Sequence, residues 1–377
     1  MLEALTDAFA NAQQWVFETL VVPVAFTLGA GNLLEDGFIA TGWLLVGLVQ
    51  IIILLLVIGP LQRLWPVEQV TDRHAIGIDV IYTLIHRLGL FKLAMFFSVE
   101  LWLTQGLGWL RAHGLPTLQI DQLWPGLTDR AAVSFLIYLV VFDLIGYLVH
   151  RAQHRWHWWW QLHAVHHSQR QMTMWTDNRN HLLDSAITDV IFVCAAILIG
   201  VAPAQFVALV AVSQLLESLH HANLRWSWGR IGDRLLVSPS FHRRHHAVML
   251  SHEPHHLTAL STAGPSQGAK APSGGSEAGG AAKRGGFIHA AGPSQGAKAP
   301  LGGSEPRAAG SVGAGFGSNY GILFPWWDGL LGSADWRPGR DPTGIDDQVL
   351  RGRDYGRGFW VQQWLGLKRL AGMLGRS

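Results

Sequence analysis

Residues 131–167 read AAVSFLIYLVVFDLIGYLVHRAQHRWHWWWQLHAVHH, and the fold turns on how they are parsed. Ala131–Val149 is an apolar run of spanning length, and it delivers His150 to the membrane surface. Four residues later comes His154, and a Trp-rich stretch leads on to His163, His166 and His167. Helical residues at i, i+3 and i+4 share one face, so HxxxH and HxxHH each aim two or three rings at one point. His242, His245 and His246 repeat the HxxHH spacing. Of the 19 histidines, only His74, His86, His113 and His289 lie outside residues 150–256. Neutral imidazole is the commonest transition-metal donor in proteins. Taken singly, each of these histidines reads most simply as a helix-surface residue; three spaced motifs together do not. The imidazoles of His150, His154, His163, His166, His167, His242, His245 and His246 are too many for one tetrahedral zinc site. They suit two metals side by side. Imidazole serves iron, zinc and copper alike, so spacing leaves the metal open.

Composition places these motifs in a membrane protein. The chain has 377 residues, 49% hydrophobic and 14% charged, against about 25% charged in soluble domains. A net charge of +2 gives no case for nucleic acid. Cys194 is the single cysteine and lies in an apolar run, so it forms no intrachain disulfide and reads as a small apolar filler. The 18 tryptophans fit wide membrane–water borders. The clump of Trp156, Trp158, Trp159 and Trp160 reads as interfacial anchoring ahead of lining a lipid tunnel. The first Lys or Arg is Arg63, so there is no basic n-region and no cleaved signal peptide is expected. No Gly-rich dinucleotide fingerprint, haem-attachment CxxCH or iron–sulfur cysteine set is present. Redox chemistry therefore falls to the histidine-held metals.

Hydropathy gives Gly42–Leu61 as a further span, and Ile76–Leu103 as one long tilted helix or two pieces, interrupted by His86, Arg87 and Lys92. Ile187–Gly200 and Ala204–Leu216 form a short apolar hairpin around Pro203. Trp15–Leu34 holds Glu18 and Pro23 and reads as interfacial or re-entrant. Arginine clusters around the His motifs and is absent before Arg63. That face is expected to be cytoplasmic, at the inner membrane if the source is bacterial. The expected fold class is an all-α integral membrane protein, with about four to five membrane helices and a cytoplasmic helical cap carrying a His-rich di-metal site. Residues 1–130 are its N-terminal membrane helices, and 131–256 with 317–336 its catalytic domain. Residues 337–377 form a tail, with an amphipathic helix at Phe359–Leu374 expected to lie on the leaflet. Residues 257–316 are a low-complexity insert in which AGPSQGAKAP occurs at Ala263–Pro272 and again at Ala291–Pro300. It is expected to be disordered, with His289 solvated. His252, His255 and His256 repeat the HxxHH spacing, but Pro254 disfavours a helix there.

Asp143 lies inside the third span, where an ionisable residue is functional by default. It shares a helical face with residues 147, 150 and 154. Either it accepts the second ring proton of a metal-bound imidazole, or it pairs with an arginine.

Further motifs follow in a fixed order. Asp143, Tyr147, His150, Arg151 and His154 read as D-x3-Y-x2-H-R-x2-H, and His163, His166, His167 and Ser168 as H-x-x-H-H-S. Arg179, His181 and Asp184 read as R-x-H-x-x-E with the acid one methylene shorter. His221, Ala222, Asn223, Leu224 and Arg225 come next, then His242, His245 and His246, then Asn319, Tyr320, Gly321, Trp327, Asp328 and Gly332. In this order the chain resembles the fatty acid hydroxylase/sterol desaturase superfamily of membrane di-iron enzymes. The likeness runs from about Asp143 to about Trp336 with the insert omitted.

The resemblance implies two Fe ions (zinc can replace them in isolated protein), dioxygen and an external electron donor, delivered by a separate electron-transfer protein. It implies hydroxylation or desaturation of an unactivated C–H bond in a fatty acyl or sterol-like lipid that enters from the bilayer, in lipid biosynthesis. It adds His221 and then His181 to the metal ligands. Glu217 stands where relatives carry His or Gln, and is a carboxylate ligand or a group supporting one. Asn319 joins the site through a turn expected near the last His motif, while His220 should point elsewhere. A membrane metallohydrolase is the alternative, against which HExxH is missing. A metal-binding transporter is another; it would favour ionisable residues deep in several spans, and here only Asp143 and Asp189 qualify.

Overall fold

Apolar runs longer than a bilayer is thick can satisfy their backbone only as helices, and the computed structural model is helical wherever those runs occur. It describes residues 2–248 and 317–375, all within one compact unit. Among the described residues there is no β-strand, only an isolated bridge between Ala247 and Thr343. Four helical stretches are long and apolar enough to cross a membrane: Gly31–Leu64, Leu90–Ala112, Ala131–Arg155 and Leu182–Ile199. The insert at 257–316, with His289, and the candidate motif His252, His255 and His256 lie outside the described residues.

Helix α1 (Leu2–Val16) runs through a π-helical turn into Val22–Thr27 and stops at Gly29, whose φ is +69°. The segment is mostly exposed and is not one of the four apolar stretches. Helix α2 (Leu34–Ile53) continues through a π-helical turn, Leu54–Ile58, to Leu64. Helix α3 (Arg73–Arg87) starts on Asp72, whose carboxylate accepts from the Ala75 amide at 3.1 Å. It crosses α2 at Gly47, where an added Cβ would lie 1.6 Å from the Arg87 carbonyl oxygen.

The Ile76–Leu103 segment resolves into two pieces. Gly89, with φ +76°, closes the end of α3 and starts α4 (Leu90–Met95), which leads through the π-helical turn Phe96–Glu100 into α5 (Leu101–Ala112). A left-handed residue costs glycine little, so the break falls there.

Helix α6 (Ala131–Arg155) carries the decisive stretch, and an extended Trp156 separates it from α7 (His157–His167). The chain turns at that point and α7 packs back on α6. The apolar hairpin is α8 (Leu182–Ile199), closed by left-handed Gly200, and α9 (Pro203–His221), opened by Pro203. Of the two, α8 alone qualifies as a candidate span. Tyr138, Leu139, Phe142, Ala196, Leu209 and Leu323 form the apolar core between α6, α8, α9 and the late segment.

Helix α10 (Pro239–His245) is capped by Ser238, whose hydroxyl accepts from the Phe241 amide at 3.1 Å. Helix α11 (Trp326–Leu330), a short helix at Asp346–Arg351 and helix α12 (Phe359–Leu374) follow. Helix α12 packs against α7, its buried residues Gln362, Gln363 and Gly366 meet Tyr82 and His181, and it leaves Trp360 and Trp364 exposed.

Candidate metal centre

The expectation that an HxxHH motif could aim all three rings at one point is corrected here: successive residues on a helix point about 100° apart, so the two rings of an HH doublet diverge. The structure uses that divergence. Two sets of four buried histidines form, each with one nitrogen per residue and all of a set's nitrogens within 4.8 Å of one another. One set is His150, His154, His167 and His245; the other is His166, His221, His242 and His246. The doublet His166–His167 is divided between them, and so is His245–His246. The stacked rings of His167 and His246, 4.3 Å apart, bring the two sets into contact.

The donor chemistry fits metal. His221 Nε2 lies 3.1 Å from His166 Nε2 and 2.9 Å from His242 Nε2, and His242 Nε2 lies 3.2 Å from His246 Nε2. His245 Nε2 is 3.2 Å from His167 Nε2. Tetrahedral ligands at 2.0–2.1 Å from a shared ion would be about 3.3–3.4 Å apart. Tautomers agree with this. The Glu217 carbonyl accepts from His221 Nδ1 at 2.8 Å, the Ser318 carbonyl from His245 Nδ1 at 2.7 Å, and the Tyr320 carbonyl from His150 Nδ1 at 2.9 Å. With the proton on Nδ1, each ring turns an Nε2 lone pair toward its set. Burial first, then neighbouring imidazoles, pushes His166, His167, His242 and His246 well below the usual histidine range. They are therefore neutral, the form a metal requires.

The late turn supplies two of the three carbonyl acceptors. Asn319 has φ +60°, a left-handed conformation that asparagine tolerates better than most residues. Its side chain donates to the Phe241 and Asp335 carbonyls at 3.0 and 2.9 Å and accepts from the Asp335 amide at 2.6 Å. Its two flanking carbonyls thereby serve His245 and His150. The Asp328 carboxylate accepts from the Tyr320 and Gly321 amides at 2.9 and 2.7 Å and from Ser333 Oγ at 2.6 Å. Burial pushes that carboxyl up to about 6. Asn319 is thus a positioning residue, placed where the last His motif needs it.

Other expected site residues are placed differently. Asp143 accepts no imidazole proton. Its oxygens take the Leu323 amide at 2.7 Å, the Phe324 amide at 3.2 Å and Trp327 Nε1 at 2.8 Å, because the late segment lies closer to it than the rings do. The carboxylate that does meet an imidazole is Asp184, 3.1 Å from His163 Nδ1. Asp184 also accepts from Gln153 Nε2 at 2.7 Å and Trp159 Nε1 at 2.6 Å. His163 belongs to neither set of four, yet its buried Nε2 has no hydrogen-bond partner and its ring is 4.9–5.2 Å from those of His150, His154, His166 and His167.

His181 lies away from both sets. Its Nδ1 accepts from the Leu183 amide at 3.1 Å, capping α8, and its Nε2 donates to the Gln363 carbonyl at 2.8 Å. Both ring nitrogens are committed, and the ring sits on Gly366, where an added Cβ would come within 2.4 Å. The carboxylate of Glu217 joins neither set; it lines a cavity next to His221. His220 is outside both sets, as expected of a ring adjacent to His221. The tryptophan clump divides: Trp156 is exposed, Trp159 serves Asp184, and Trp160 packs 5.1 Å from the His154 ring. Arg179 secures the C-terminal end of α7, donating to the Val165 carbonyl at 3.1 Å, Ser168 Oγ at 3.3 Å and Asp79 at 2.6 Å.

A cavity of about 310 Å³ meets the histidines at His150, His163, His166, His221 and His242. Its walls include Phe142, Phe192, Phe206 and Leu209, and also Lys92 and Asp189. Backbone carbonyls carry no signature in sequence. Asp184 did have one: it is the acid of the Arg179–His181–Asp184 motif, N-terminal in a helix that brings it to α7.

Fold and site together give a helical protein with four candidate membrane spans and, beside a cavity, two buried histidine clusters that could hold metal. Comparison with known proteins narrows the class. Residues 135–261 match the Fatty acid hydroxylase family. An ornithine lipid hydroxylase, OlsE, from Rhizobium tropici is 27% identical over 133 residues, covering 35% of this chain and 39% of that protein. The chain thus aligns with well under half the length of that relative. No solved structure matches. Over about a third of its length, then, the chain is similar to the Fatty acid hydroxylase family and to a lipid hydroxylase.

Proposed function

We propose that this chain is a membrane di-iron hydroxylase that uses dioxygen and external electrons to oxidise an unactivated C–H bond of a fatty acyl or sterol-like lipid. The observation that carries the reading is the pair of buried four-histidine sets, side by side, beside one cavity that reaches into candidate membrane helices. The iron pair, when bound, supplies dioxygen reduction and C–H oxidation, which no side chain can perform alone. The chain's own residues do the rest. The eight histidines would hold the metals, with His163 facing both sets. Three backbone carbonyls and Asp184 fix ring orientation. Phe142, Phe192, Phe206 and Leu209 offer apolar walls that would hold hydrocarbon and exclude water. In this reading the histidines face the cytoplasm, at the inner membrane if the source is bacterial, and a separate electron-transfer protein docks there.

The test is direct. Protein loaded anaerobically with ferrous iron is given a reductant, isotopically labelled dioxygen and a total lipid extract. One labelled oxygen atom should enter a lipid, and His242→Ala should abolish it. Oxygen-independent hydrolysis by zinc-loaded protein would refute the reading. Loss of two hydrogens without oxygen gain would convert it to a desaturase.

A further inference from the structure

A tryptophan that anchors a protein at a membrane border has to be exposed. Within the clump Trp159 and Trp160 are each 2% exposed, against 52% for Trp156. The indoles of Trp156, Trp158 and Trp159 are instead stacked on one another. Trp158 and Trp159 lie 5.1 Å apart between ring centroids, with planes inclined by 12°. Trp156 lies 5.7 Å from Trp159 and 6.1 Å from Trp158, at 30° and 26°. The break at Trp156 makes the stack possible. Its extended backbone turns α7 back on α6, and residues 156 and 159, three apart, meet on one side of the new helix. The two ends of the stack differ. At the outer end Trp156 stands between Arg155 and His157, both exposed. At the inner end Trp159 Nε1 donates to one oxygen of Asp184 at 2.6 Å, and the other oxygen is 3.1 Å from His163 Nδ1. The His163 ring is 4.9–5.2 Å from those of His150, His154, His166 and His167. Stacked rings and hydrogen bonds thus join the surface to both histidine sets.

We infer that Trp159, Trp158 and Trp156 form an electron path to the surface, which discharges an oxidised centre when no lipid is there to be oxidised. The inference rests on the hydroxylase reading for its natural oxidant. Excluding side reactions is the protein's task around a redox group, and an indole is electron-rich enough to be oxidised before the histidines are. The Asp184 carboxylate against Nε1 stabilises positive charge on the Trp159 ring, so the buried indole is the favoured first donor. One electron passes from Trp159 to the oxidised centre and leaves an indole radical cation. One electron then passes from Trp156 to Trp159, directly or through Trp158. A water-borne one-electron reductant, such as ascorbate or a thiol, returns one to Trp156. The reductant loses the electron that the centre gains, and no bond in the protein is made or broken.

Radical spectroscopy separates this inference from lipid turnover. Ferrous-loaded protein in detergent, without lipid, is treated with hydrogen peroxide and frozen at intervals for electron paramagnetic resonance. Wild type should show an indole radical that added ascorbate removes. Trp159→Phe should lose that signal. The double variant Trp156→Phe with Trp158→Phe should keep it, now resistant to ascorbate, and should accumulate oxidised histidine, read by mass spectrometry. Trp160→Phe removes a buried indole 5.1 Å from the His154 ring and should leave the signal and its quenching as in wild type. Iron content is measured on every variant. If Trp159→Phe costs iron, the outer double variant decides alone, since its residues touch neither histidine set. Absence of an indole radical in wild type overturns the inference. So does a radical that survives Trp159→Phe, or one that the outer double variant leaves equally open to ascorbate. Labelled oxygen entering lipid, with no radical here, refutes the path and leaves the hydroxylase reading standing. A radical that behaves as stated, with no oxygen ever entering lipid, does the reverse.

Discussion

The two four-histidine sets have the same donors and different surroundings. Of the set His150, His154, His167 and His245, only His150 reaches the cavity, while Trp160 and Tyr320 pack against the His154 ring. Of the set His166, His221, His242 and His246, three reach it. Support differs in the same sense. The enclosed set is oriented by Ser318 and Tyr320, far away in sequence, whereas His221 leans on the carbonyl of Glu217 one helical turn before it. Each set draws on three helices; the enclosed one is oriented from the late turn, while the other has a local support at His221 and opens on the cavity. Four imidazoles apiece do not make the two sets equivalent.

The sharpest way to break this comparison is to delete one donor from each half. His245→Ala should lose close to both metals, because closure around the enclosed set fails. His242→Ala should retain about one metal per chain. Turnover should be lost in both, since the metals would carry the reaction. Elemental analysis of the purified variants decides, and equal losses would dissolve the distinction.

A second test acts through the turn. Asn319→Ala removes three side-chain hydrogen bonds and strains a left-handed residue, at a cost of about 2–4 kcal/mol. Asn319→Gly keeps the conformation and should recover part of that. Thermal unfolding with metal content should show loss first from the enclosed set.

A third sets the two buried carboxylates against each other. Asp184→Asn should weaken metal affinity about ten- to a hundredfold, the usual effect of removing a ligand's carboxylate partner. Asp143→Asn should change it by less than about threefold, since Asp143 holds only the Leu323–Phe324 backbone and Trp327. Competition with a chelator measures both.

The smallest effect is expected from the insert. Deleting Ala263–Pro300 should alter stability by well under about 1 kcal/mol on the logarithmic loop scaling, with metal content unchanged. Normal metal with turnover below about a tenth of the parent would give that segment a role beyond spacing.

What the sequence made legible was whatever depends on spacing. Periodic apolar runs marked α2, α6 and the α8–α9 hairpin, and the three spaced His motifs marked residues that gather into two clusters able to hold metal. Fates that depend on tertiary approach were hidden. Asp143 shares a face with His150, but face-sharing cannot show that the Leu323 amide arrives first. His181 sits in a ligand-like motif, yet α12 folds back and takes its second nitrogen. Helix α12 itself showed its amphipathic pattern without showing what its inner face would cover. The break at Gly89 was within reach, since a glycine after His86 and Arg87 is a helix-ending signal.

The turn around Asn319 also fixes when this protein can become functional. Its two carbonyls are synthesised after every histidine of either set, and α12, which packs over α7, comes later still. A nascent chain can place its apolar helices in the bilayer and expose all eight donors, but it cannot shut the enclosed half. In the metal-binding reading, closure of the enclosed set around an ion waits until translation has passed the late turn. Chains arrested before it would carry every histidine of both sets and lack the two carbonyls that orient His150 and His245.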